Sequence, residues 1–457
     1  MADKTVFGID LGTTYSCIAY VDEYGRPVVV PNAENALTTP SVVYFETATN
    51  IVVGQAAKEV ARIHPDLVVQ TIKREMGNPN WVRSFHGKDY RPAEIAALIL
   101  KKVAGDVERT LGKTVEDVVI TCPAYFGNVE KEATKQAGII AGLNVRFVVP
   151  EPVAAALAYG INSAAAETIL VYDLGGGTFD GTLLRTPGEV LATVGDHELG
   201  GRDWDEHLVR YLAQKFEDES GTPSGDLLAD AQLYQELLSL AEAGKIQLSA
   251  RESHTIRVRH DIEAVNVEVG RADFDRITEA RLGRTIDLTR ELIEEAKANS
   301  WSIDKILLVG GSTYMPQVDS RLQREFPALP RLRKDPNQIV ATGAALLGFK
   351  YQVDDTIKAL IDKGMSHPEA IRKTADNVGV TPARVGDINR IEIKTVTARS
   401  FGIVVRDDDD QEVVQNLVKV DDPLPAVIPR RFGTHADQQS SALIRVMENM
   451  HRETEKL

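Results

Sequence analysis

Two aspartates flank a run of three glycines near the middle of the chain. Asp173 follows the apolar run 169–172, the glycines occupy 175–177, and Asp180 lies within a second run, 178–184. Glycines allow a backbone to approach a bulky anion with successive N–H groups pointing at it, and aspartates suit a hydrated magnesium ion beside phosphates. The spacing predicts an antiparallel hairpin that binds phosphate and a cation. The plainer interpretation is a glycine-rich hairpin with solvated aspartates.

The same plan occurs near the start of the chain. Residues 6–20 again read as strand, Asp-Leu-Gly, threonine and strand. Asp10 takes the place of Asp173, and Thr13 or Thr14 takes the place of the threonine after the three glycines. A self-similar unit at this separation predicts two related lobes, each offering a phosphate hairpin to one cleft.

A third glycine turn lies late in the chain. Residues 306–309 are apolar, and Gly310-Gly311-Ser312-Thr313 comes directly after them. Two phosphate hairpins followed by a late Gly-Gly turn form the pattern of the actin-like ATPase fold, which also contains sugar kinases. The motifs therefore predict an α/β protein of this fold.

Bulk properties limit the function classes. The chain has 457 residues, 43% of them hydrophobic, and a formal net charge of −15. The length allows two or three domains, and the charge argues against nucleic acid or an anionic membrane as the main partner. No apolar run approaches the roughly 20 residues that cross a bilayer, and residues 1–4 leave no room for a signal peptide. Cys17 and Cys122 lie in apolar strands, which indicates core residues in a reducing, cytoplasmic setting.

Helices and strands predicted from periodicity connect the three turns. Strands are expected at 118–122 and 145–149, and helices at 55–63, 67–76, from 92 onward, 129–141, 153–159, 205–219, 229–250, 273–299 and 339–349. The first domain is expected to close near residue 351. Short helices are expected within 354–387, and alternating strands with acidic turns from residue 391.

Glu151 stands between Pro150 and Pro152, directly after a predicted strand. The prolines would hold its carboxylate rigidly at the edge of the cleft. The other interpretation is a charge favoured by the dipole at the start of the next helix. The aspartate run 407–410 indicates a solvated hairpin tip rather than a cation site, and the nine histidines have no metal-ligand spacing.

Seven stretches of the chain resemble one branch of the actin-like fold, the seventy-kilodalton heat-shock chaperones. They are residues 8–16 (Gly-Ile-Asp-Leu-Gly-Thr-Thr-Tyr-Ser), 123–126 (Pro-Ala-Tyr-Phe), 141–145 (Ala-Gly-Leu-Asn-Val), 151–152 with 154–156 (Glu-Pro, Ala-Ala-Ala), the hairpin 169–183, 199–201 (Leu-Gly-Gly) and 309–313 (Val-Gly-Gly-Ser-Thr). They cover nearly all of residues 4–351 in the family's order, whereas sugar kinases share only the hairpins. The resemblance implies a two-lobed nucleotide-binding domain around ATP or ADP, Mg²⁺ and K⁺, in which slow hydrolysis switches conformation.

The resemblance also implies a role for each matching residue. Lys73 would orient the attacking water and the γ-phosphate, and Glu151 would position that water or accept its proton. The implied catalytic residues are Lys73, Glu151, Asp173 and Thr178, and the implied metal residues are Asp10, Asp173 and Asp180. The implied phosphate and nucleoside residues are Gly12, Thr13, Thr14, Tyr15, Gly175, Gly176, Gly177, Gly200, Gly201, Glu242, Lys245, Ser249, Gly310, Gly311, Ser312, Tyr314 and Asn337. Such a set supplies positioning and charge neutralisation, which phosphoryl transfer needs more than covalent chemistry.

Four positions depart from the family's pattern. Tyr314 stands where an arginine usually follows Gly-Gly-Ser-Thr, so a purine would stack on a neutral ring rather than on a cation. Asn337 replaces an aspartate, Pro150 an asparagine and Lys131 an arginine. These changes bear on nucleotide affinity and on the relay between domains.

The larger departure begins at residue 352. A helical insert precedes Ile391-Glu392-Ile393-Lys394, which stands where the family has a short leucine-rich linker ending in Asp-Val-Thr-Pro. The predicted architecture is a two-lobed actin-like ATPase with ribonuclease H-like halves (1–351), a helical insert (352–390) and a partial antiparallel β-sandwich (391–457). A half-sandwich leaves open edges, so the chain is cut, packs this part on the ATPase lobes, or associates with itself or another chain.

Two function classes follow from these residues. The first is an ATP-hydrolysing chaperone that captures extended apolar peptides under nucleotide control, with a J-domain co-chaperone and a nucleotide-exchange factor as implied partners. The second is a nucleotide-sensing regulatory module with weak or uncoupled hydrolysis that engages one dedicated protein. The insert and the missing linker motif favour the second, whereas intact Lys73, Glu151, Asp173 and Thr178 favour the first. A metabolite kinase is a distant third.

Overall fold

A computed structural model describes residues 5–160, 167–186, 188–394, 396–397, 399–407, 409–420, 422, 424, 426–433, 441, 443–449 and the backbone of 455–456. Several residues used in the sequence interpretation lie outside the described residues: 1–4, Thr395, Ala398, Asp408, Asp421, Pro423, Pro425 and Ala442.

Strands and helices alternate through most of the described chain. The strands are β1 (Val6–Asp10), β2 (Tyr15–Val21), β3 (Pro27–Val29), β4 (Thr39–Pro40), β5 (Val43–Phe45), β6 (Ile51–Val53), β7 (Val68–Val69), β8 (Arg83–Phe85), β9 (Lys88–Tyr90), β10 (Asp117–Cys122), β11 (Asn144–Pro150), β12 (Thr168–Leu174), β13 (Phe179–Arg185), β14 (Glu189–Asp196), β15 (Ser253–His260), β16 (Glu263–Gly270), β17 (Lys305–Val309), β18 (Arg331–Arg333), β19 (Ser400–Arg406), β20 (Glu412–Val418), β21 (Val446–Asn449) and β22 (Glu455–Lys456). The helices are α1 (Gln55–Val60), α2 (Pro92–Leu111), α3 (Asn128–Ile140), α4 (Glu151–Gly160), α5 (Gly201–Ser220), α6 (Ser224–Ala229), α7 (Ala231–Ala250), α8 (Arg271–Ala298), α9 (Pro316–Glu325), α10 (Ile339–Ile361), α11 (His367–Val378) and α12 (Pro382–Asn389), with 3₁₀ turns at Pro65–Leu67, Ile72–Glu75 and Gly311–Tyr314.

Two large sheets carry the predicted hairpins, and they have the same topology. The strand orders are β11-β10-β1-β2-β3 and β14-β13-β12-β17-β18. In each sheet the two hairpin strands are antiparallel, and the first of them also pairs in parallel with a later strand, β10 or β17. The two sequence stretches that repeat one another therefore occupy equivalent positions, and the predicted antiparallel hairpin at 169–184 is confirmed.

Helix α10 packs tightly against strand β1 and helix α4 because a glycine removes the side chain at each contact. A Cβ on Gly8 of β1 would lie 2.1 Å from the Ala345 backbone nitrogen, and a Cβ on Gly343 would lie 1.7 Å from the Ala154 carbonyl oxygen. One apolar cluster combines residues of these helices with residues of both large sheets, including β10, β12 and β17. This layer joins the two sheets that hold the hairpins.

The apolar runs form buried strands, and both cysteines lie on such strands: Cys122 at the end of β10 and Cys17 within β2. Strands β10 and β12 are buried along their whole length, as parallel strands covered on both faces are. Cys17 and Cys122 are free and buried, and burial raises the pKa of both thiols. They are the core residues that the sequence predicts.

The predicted helix 67–76 is wrong. This stretch contains β7, which pairs with β5, and then a 3₁₀ turn over Ile72–Glu75. Thr71 between them has φ 56°, a left-handed conformation that is unfavourable for a β-branched residue. Sheet pairing and the strained turn override the local helical periodicity.

The helical insert is continuous with the element before it. Helix α10 runs through residue 351 to Ile361, so the predicted helix 339–349 extends 12 residues further and includes the first part of 354–387, where the sequence predicts separate short helices. Helices α11 and α12 pack on this extension through a cluster that includes Val353, Val385 and Ile388. The domain boundary at 351 stays a prediction, and it falls inside a helix.

The segment after the insert joins the edge of the second large sheet. Ile391 is 8% exposed and belongs to the cluster between the sheets. Lys394 bonds to the β14 edge through its backbone: its N–H donates to the Gly188 carbonyl and its carbonyl accepts from the Val190 N–H, both at 2.9 Å. The segment 391–394 thus extends that sheet by one short parallel bridge.

The described C-terminal strands form one antiparallel sheet, β21-β19-β20-β22. This sheet contacts helix α3 through ion pairs and hydrogen bonds. Arg399 lies 2.8 Å from Glu130, and the Asn128 backbone N–H donates to Glu448 at 3.2 Å. Among the helices of the described part of the chain, none is long and apolar enough to cross a bilayer.

Candidate functional site

A cavity of about 860 Å³ lies where the three glycine turns meet. Most of the predicted site residues line it: Asp10, Gly12, Thr13, Thr14, Tyr15, Lys73, Glu151, Asp173, Gly175, Gly176, Thr178, Glu242, Lys245, Ser249, Gly310, Gly311, Ser312, Tyr314 and Asn337. Gly177, Asp180, Gly200 and Gly201 are not part of this lining. A cavity of this size holds a ligand as large as a nucleotide.

The two hairpin turns are in direct contact. A Cβ on Gly176 would lie 1.9 Å from the Thr14 hydroxyl oxygen, and a Cβ on Gly177 would lie 2.3 Å from Thr13 Cγ2. Glycine is needed here because the opposite turn fills the space that a side chain would use. Gly177 therefore serves the contact between the hairpins, which explains why it is absent from the cavity lining.

The third turn is fixed to the second hairpin by hydrogen bonds. The Ser312 hydroxyl donates to the Gly175 carbonyl at 2.8 Å. Gly310 has φ 83°, and a Cβ there would lie 2.3 Å from the Leu174 carbonyl oxygen. The left-handed conformation and the close backbone approach both require glycine at this position.

Gly200 and Gly201 start helix α5 behind the second hairpin. The Gly201 N–H donates to the Gly175 carbonyl at 2.9 Å, and the Arg202 N–H donates to the Gly176 carbonyl at 2.8 Å. A Cβ on Gly200 would lie 2.4 Å from the Gly177 backbone. These two glycines support the hairpin from behind and do not line the cavity.

Three carboxylates (Asp10, Glu151 and Asp173) and the Lys73 ammonium group lie together at the floor of the cavity. Lys73 forms a buried ion pair with Glu151, and each side chain is less than 10% exposed. Although burial favours the neutral amine, Glu151 and Asp10 hold the pKa of Lys73 above its usual value. Glu151 follows β11 at the start of α4, which the sequence placed at either a cleft edge or a helix end. Glu151 therefore lies both at the cavity and at the first position of a helix, so the two interpretations hold together.

Asp10, Asp173 and Asp180 have pKa values above the usual value of an aspartate. Burial, and then the charge of Glu151, raises the pKa of Asp10 to about 7 and that of Asp180 to about 8. The same two causes raise the pKa of Asp173 well above its usual value. A cation bound beside these groups would favour their ionised form, because its positive charge offsets both the burial and the repulsion that oppose ionisation.

A hydrated magnesium ion fits these donors. Asp180 accepts a hydrogen bond from the Ala124 N–H at 3.1 Å, but its second oxygen, Oδ2, is buried without a hydrogen-bond partner. Within the described residues, no three His, Cys, Asp or Glu side chains are grouped closely enough to ligate a metal ion alone. Mg²⁺ commonly keeps several waters and binds through one or two carboxylates plus phosphates. Asp10, Asp173 and Asp180 suit that mode.

The raised pKa values predict how stability depends on pH without divalent cations. Asp10 and Asp180 stay protonated in the folded protein up to about pH 7 and 8, whereas unfolded aspartates ionise near pH 4. Unfolding therefore releases protons between these values, so stability falls as pH rises from 5 to 8. We expect a loss of several kcal/mol, since each group contributes about 1.4 kcal/mol for every pH unit below its folded-state pKa, and thermal unfolding measures it. Asp180→Asn should flatten the dependence; a stability that rises with pH would contradict the assignment.

Helix α7 forms the opposite wall, where a nucleoside would lie. Lys245 lies 2.7 Å from Asp205 and donates to the Gly201 carbonyl at 2.9 Å. Glu242 lies 2.5 Å from Lys58 and accepts from the Tyr15 hydroxyl at 3.1 Å. The wall thus presents fixed charges and hydroxyls beside the first hairpin.

Several residues of the site were not anticipated from the sequence. Lys58, Asp205 and Arg333 line the cavity, and Arg74 bridges the 3₁₀ turn of Lys73 to the Gly177 carbonyl at 2.9 Å and to Asp203 at 2.7 Å. Each is a charged residue in a stretch whose sequence suggests a solvent-exposed side chain. The residue that it pairs with or hydrogen-bonds to is at least 20 positions away in the chain. The adjacency of Arg74 to Lys73 was the one available signal.

Comparison with known proteins agrees with this geometry. A model of the family described as Hsp70 protein matches residues 6–85 and 78–456. Two curated relatives named Chaperone protein DnaK, from the R1 and NRC-1 strains of Halobacterium salinarum, are each 38% identical over 457 residues, covering 98% of this chain and 66% of the relative. The chain therefore spans about two thirds of the length of the curated relatives it matches. On this evidence of sequence and site, the chain belongs to the Hsp70 family.

Proposed function

We propose that the chain is an ATP-hydrolysing chaperone of the Hsp70 type, with a two-lobed actin-like ATPase part. The observation that carries the proposal is the meeting of two glycine hairpins above a buried Lys73–Glu151 pair and three aspartates of raised pKa. Repeated sheet topology supports the two lobes. A phosphate-binding cleft with one ammonium and several carboxylates suits phosphoryl transfer to water.

The positions of these residues in and beside the cavity support the roles that the resemblance implies. Backbone N–H groups of the hairpins and the Thr13, Thr14 and Thr178 hydroxyls bind phosphate oxygens. Lys73, held by Glu151, orients the attacking water and neutralises the γ-phosphate, and Glu151 accepts hydrogen bonds from that water. Asp10, Asp173 and Asp180 would hold hydrated Mg²⁺ and K⁺. The Mg²⁺ supplies charge neutralisation on the transferred phosphoryl group.

The remaining assignments extend from the ATPase to the rest of the chain. We assign residues 1–351 to the ATPase domain, 352–390 to the insert and 391–457 to a partial β-sandwich. The sandwich would bind extended apolar peptides by adding them to a sheet edge. By resemblance, a J-domain co-chaperone and a nucleotide-exchange factor act on the cytoplasmic protein, which has no nucleic-acid or membrane partner.

The proposal is tested by single-turnover ATP hydrolysis with Mg²⁺ and K⁺, with and without excess apolar peptide. Slow phosphate release that the peptide accelerates would support a coupled chaperone. Release that ignores the peptide would support an uncoupled ATPase. Tight ATP binding without release would overturn hydrolysis, and a phosphorylated small molecule in place of free phosphate would favour a kinase.

The ion pair across the cavity mouth predicts slow nucleotide release. Lys58 on α1 pairs with Glu242 on α7, and both side chains are about one-fifth exposed. Lys58→Ala should speed ADP release about fivefold, because a partly buried pair contributes about 1 kcal/mol. Stopped-flow displacement of a fluorescent ADP analogue measures the rate. Lys135→Ala, at an exposed position on α3, is the control. Equal ADP release rates for the two variants would contradict a role of the Lys58–Glu242 ion pair in retaining the nucleotide.

A regulatory module with uncoupled hydrolysis is the second candidate. The observation that favours it is the short connection between the insert and the segment 391–394. Helix α12 ends at Asn389, and the side chain of Ile391, two residues later, is already buried, with 8% of its surface exposed. Undocking 391–394 would require exposing that side chain, which costs about 1.5–3 kcal/mol. A C-terminal part held in one position would engage a dedicated partner without a nucleotide-driven cycle.

A further inference from the structure

Two large side chains with exposed apolar surface line the part of the cavity beside the third glycine turn and helix α7. Tyr314 is 45% exposed and Ile246 is 58% exposed, and both line the cavity. Tyr314 closes the 3₁₀ turn that begins at Gly311. Large apolar surfaces left exposed at a cavity suit a flat ligand group that covers them.

A cation lies against the tyrosine ring. The Arg333 guanidinium carbon is 5.4 Å from the centre of the Tyr314 ring, and its Nη2 donates to the Thr313 carbonyl at 2.6 Å. The hydrogen bond fixes the guanidinium, so the cation stays with the ring. A cation beside an aromatic ring is attracted by the negative potential of the ring face and withdraws electron density from the ring. The other face is then better suited to stack on an electron-rich base.

The Asn337 amide lies against the first residue of the turn that carries this ring. Side chains at the first and last residues of a 3₁₀ turn eclipse one another, so the position of Gly311 and the Tyr314 ring share one side of the turn. A Cβ on Gly311 would lie 2.7 Å from Asn337 Oδ1. The missing side chain at Gly311 therefore leaves space for the Asn337 amide, with its donor and its acceptor, on the side of the turn that carries the ring.

We propose that Tyr314, Arg333 and Asn337 form a base-selecting wall: the cation-backed ring stacks on a purine, and the amide reads its edge. The proposal rests on the nucleotide site proposed above and adds its specificity. Asparagine can pair with both N6 and N7 of adenine, whereas guanine presents two acceptors there. The wall therefore selects a 6-amino purine and achieves stacking through a pair of residues rather than through one arginine.

The test compares the affinities for ATP, GTP and magnesium tripolyphosphate, which has no base, measured by calorimetry. Tyr314→Leu should weaken ATP about tenfold, and Arg333→Gln about threefold, with tripolyphosphate unchanged in both. Tyr314→Phe should keep ATP affinity within about twofold, because the ring remains. Asn337→Ser should reduce the preference for ATP over GTP about fivefold. The matched control is Arg331→Gln on the same strand, since Arg331 pairs with Asp319 at 3.0 Å and lies outside the cavity lining.

The double variant Tyr314→Leu with Arg333→Gln tests whether Arg333 acts on the base through the Tyr314 ring or independently of it. If Arg333 acts through the ring, adding Arg333→Gln to Tyr314→Leu should cause no further loss of ATP affinity. Equal weakening of ATP and tripolyphosphate by Arg333→Gln would overturn the wall, because the arginine would then act on the phosphates. Unchanged ATP affinity in every variant would also overturn it. Failure of the unaltered protein to bind either ATP or tripolyphosphate would instead overturn the proposed function.

Discussion

Lys73→Ala is expected to slow single-turnover ATP hydrolysis at least about 100-fold, the usual cost of removing one preorganised donor from a developing charge. Lys73 lies with Asp10, Glu151 and Asp173 on the floor of the cavity, and without its ammonium the floor repels both the γ-phosphate and the attacking hydroxide. ATP binding should survive, because the hairpins and the nucleoside wall are unaffected. Phosphate release from preformed complexes measures the step after binding.

The loss must be distinguished from unfolding. Removing one partner of a buried ion pair costs about 3–5 kcal/mol when the other charge stays. Thermal unfolding with bound ATP tests whether the variant is folded. Lys297→Ala is the matched control, since Lys297 pairs with Glu294 and both side chains are more than 60% exposed. A Lys73→Ala protein that hydrolyses ATP within threefold of the parent would contradict the role of the lysine.

Gly343→Ala is expected to cause the largest loss of stability among single-methyl additions. A Cβ there would lie 1.7 Å from the Ala154 carbonyl oxygen and 2.3 Å from its carbon, both backbone atoms of α4. Since backbone cannot rotate away, the helices must separate, and overpacking of this kind costs about 3 kcal/mol or more. The unfolding temperature should fall accordingly, and ATP binding should weaken because Val340 of the same helix lines the cavity.

The chain offers a matched control for this substitution. Gly283 lies inside helix α8, and a Cβ there would meet nothing within 4 Å. Gly283→Ala should raise stability by about 0.5–1 kcal/mol, because alanine loses less backbone entropy in a helix. The two variants add the same methyl group and should shift the unfolding temperature in opposite directions. Shifts in the same direction would contradict the close approach of α4 and α10.

The hairpins could be predicted because their signals are local. Glycines, flanking aspartates and apolar strands lie within about 15 residues of one another, and turn chemistry of that range is readable from sequence. The hairpin β15–β16 gave a similar signal that was missed: Ile256 and Val258 alternate with polar residues, as do Val265 and Val267. That alternation is typical of strands with one buried face.

The partners of charged residues could not be read in the same way. Lys58 reaches Glu242, and Arg74 reaches Asp203, across more than 100 residues of chain, and no local pattern specifies which charge meets which. The helix predicted at 67–76 failed for a related reason. Strand β7 pairs with β5, and the strained Thr71 starts a turn that puts Lys73 beside Glu151. Long-range pairing outweighed the local preference.

Helix α10 has a mechanical consequence. Its 23 residues give a rod of about 34 Å at 1.5 Å per residue. Val340 near one end touches the cavity, while Ile357 near the other packs in the insert. Such a rod acts as a lever arm: a tilt of about 5° at the cavity would move its far end by about 3 Å. The insert lengthens that arm, so a small change at the nucleotide is amplified where α11 and α12 sit.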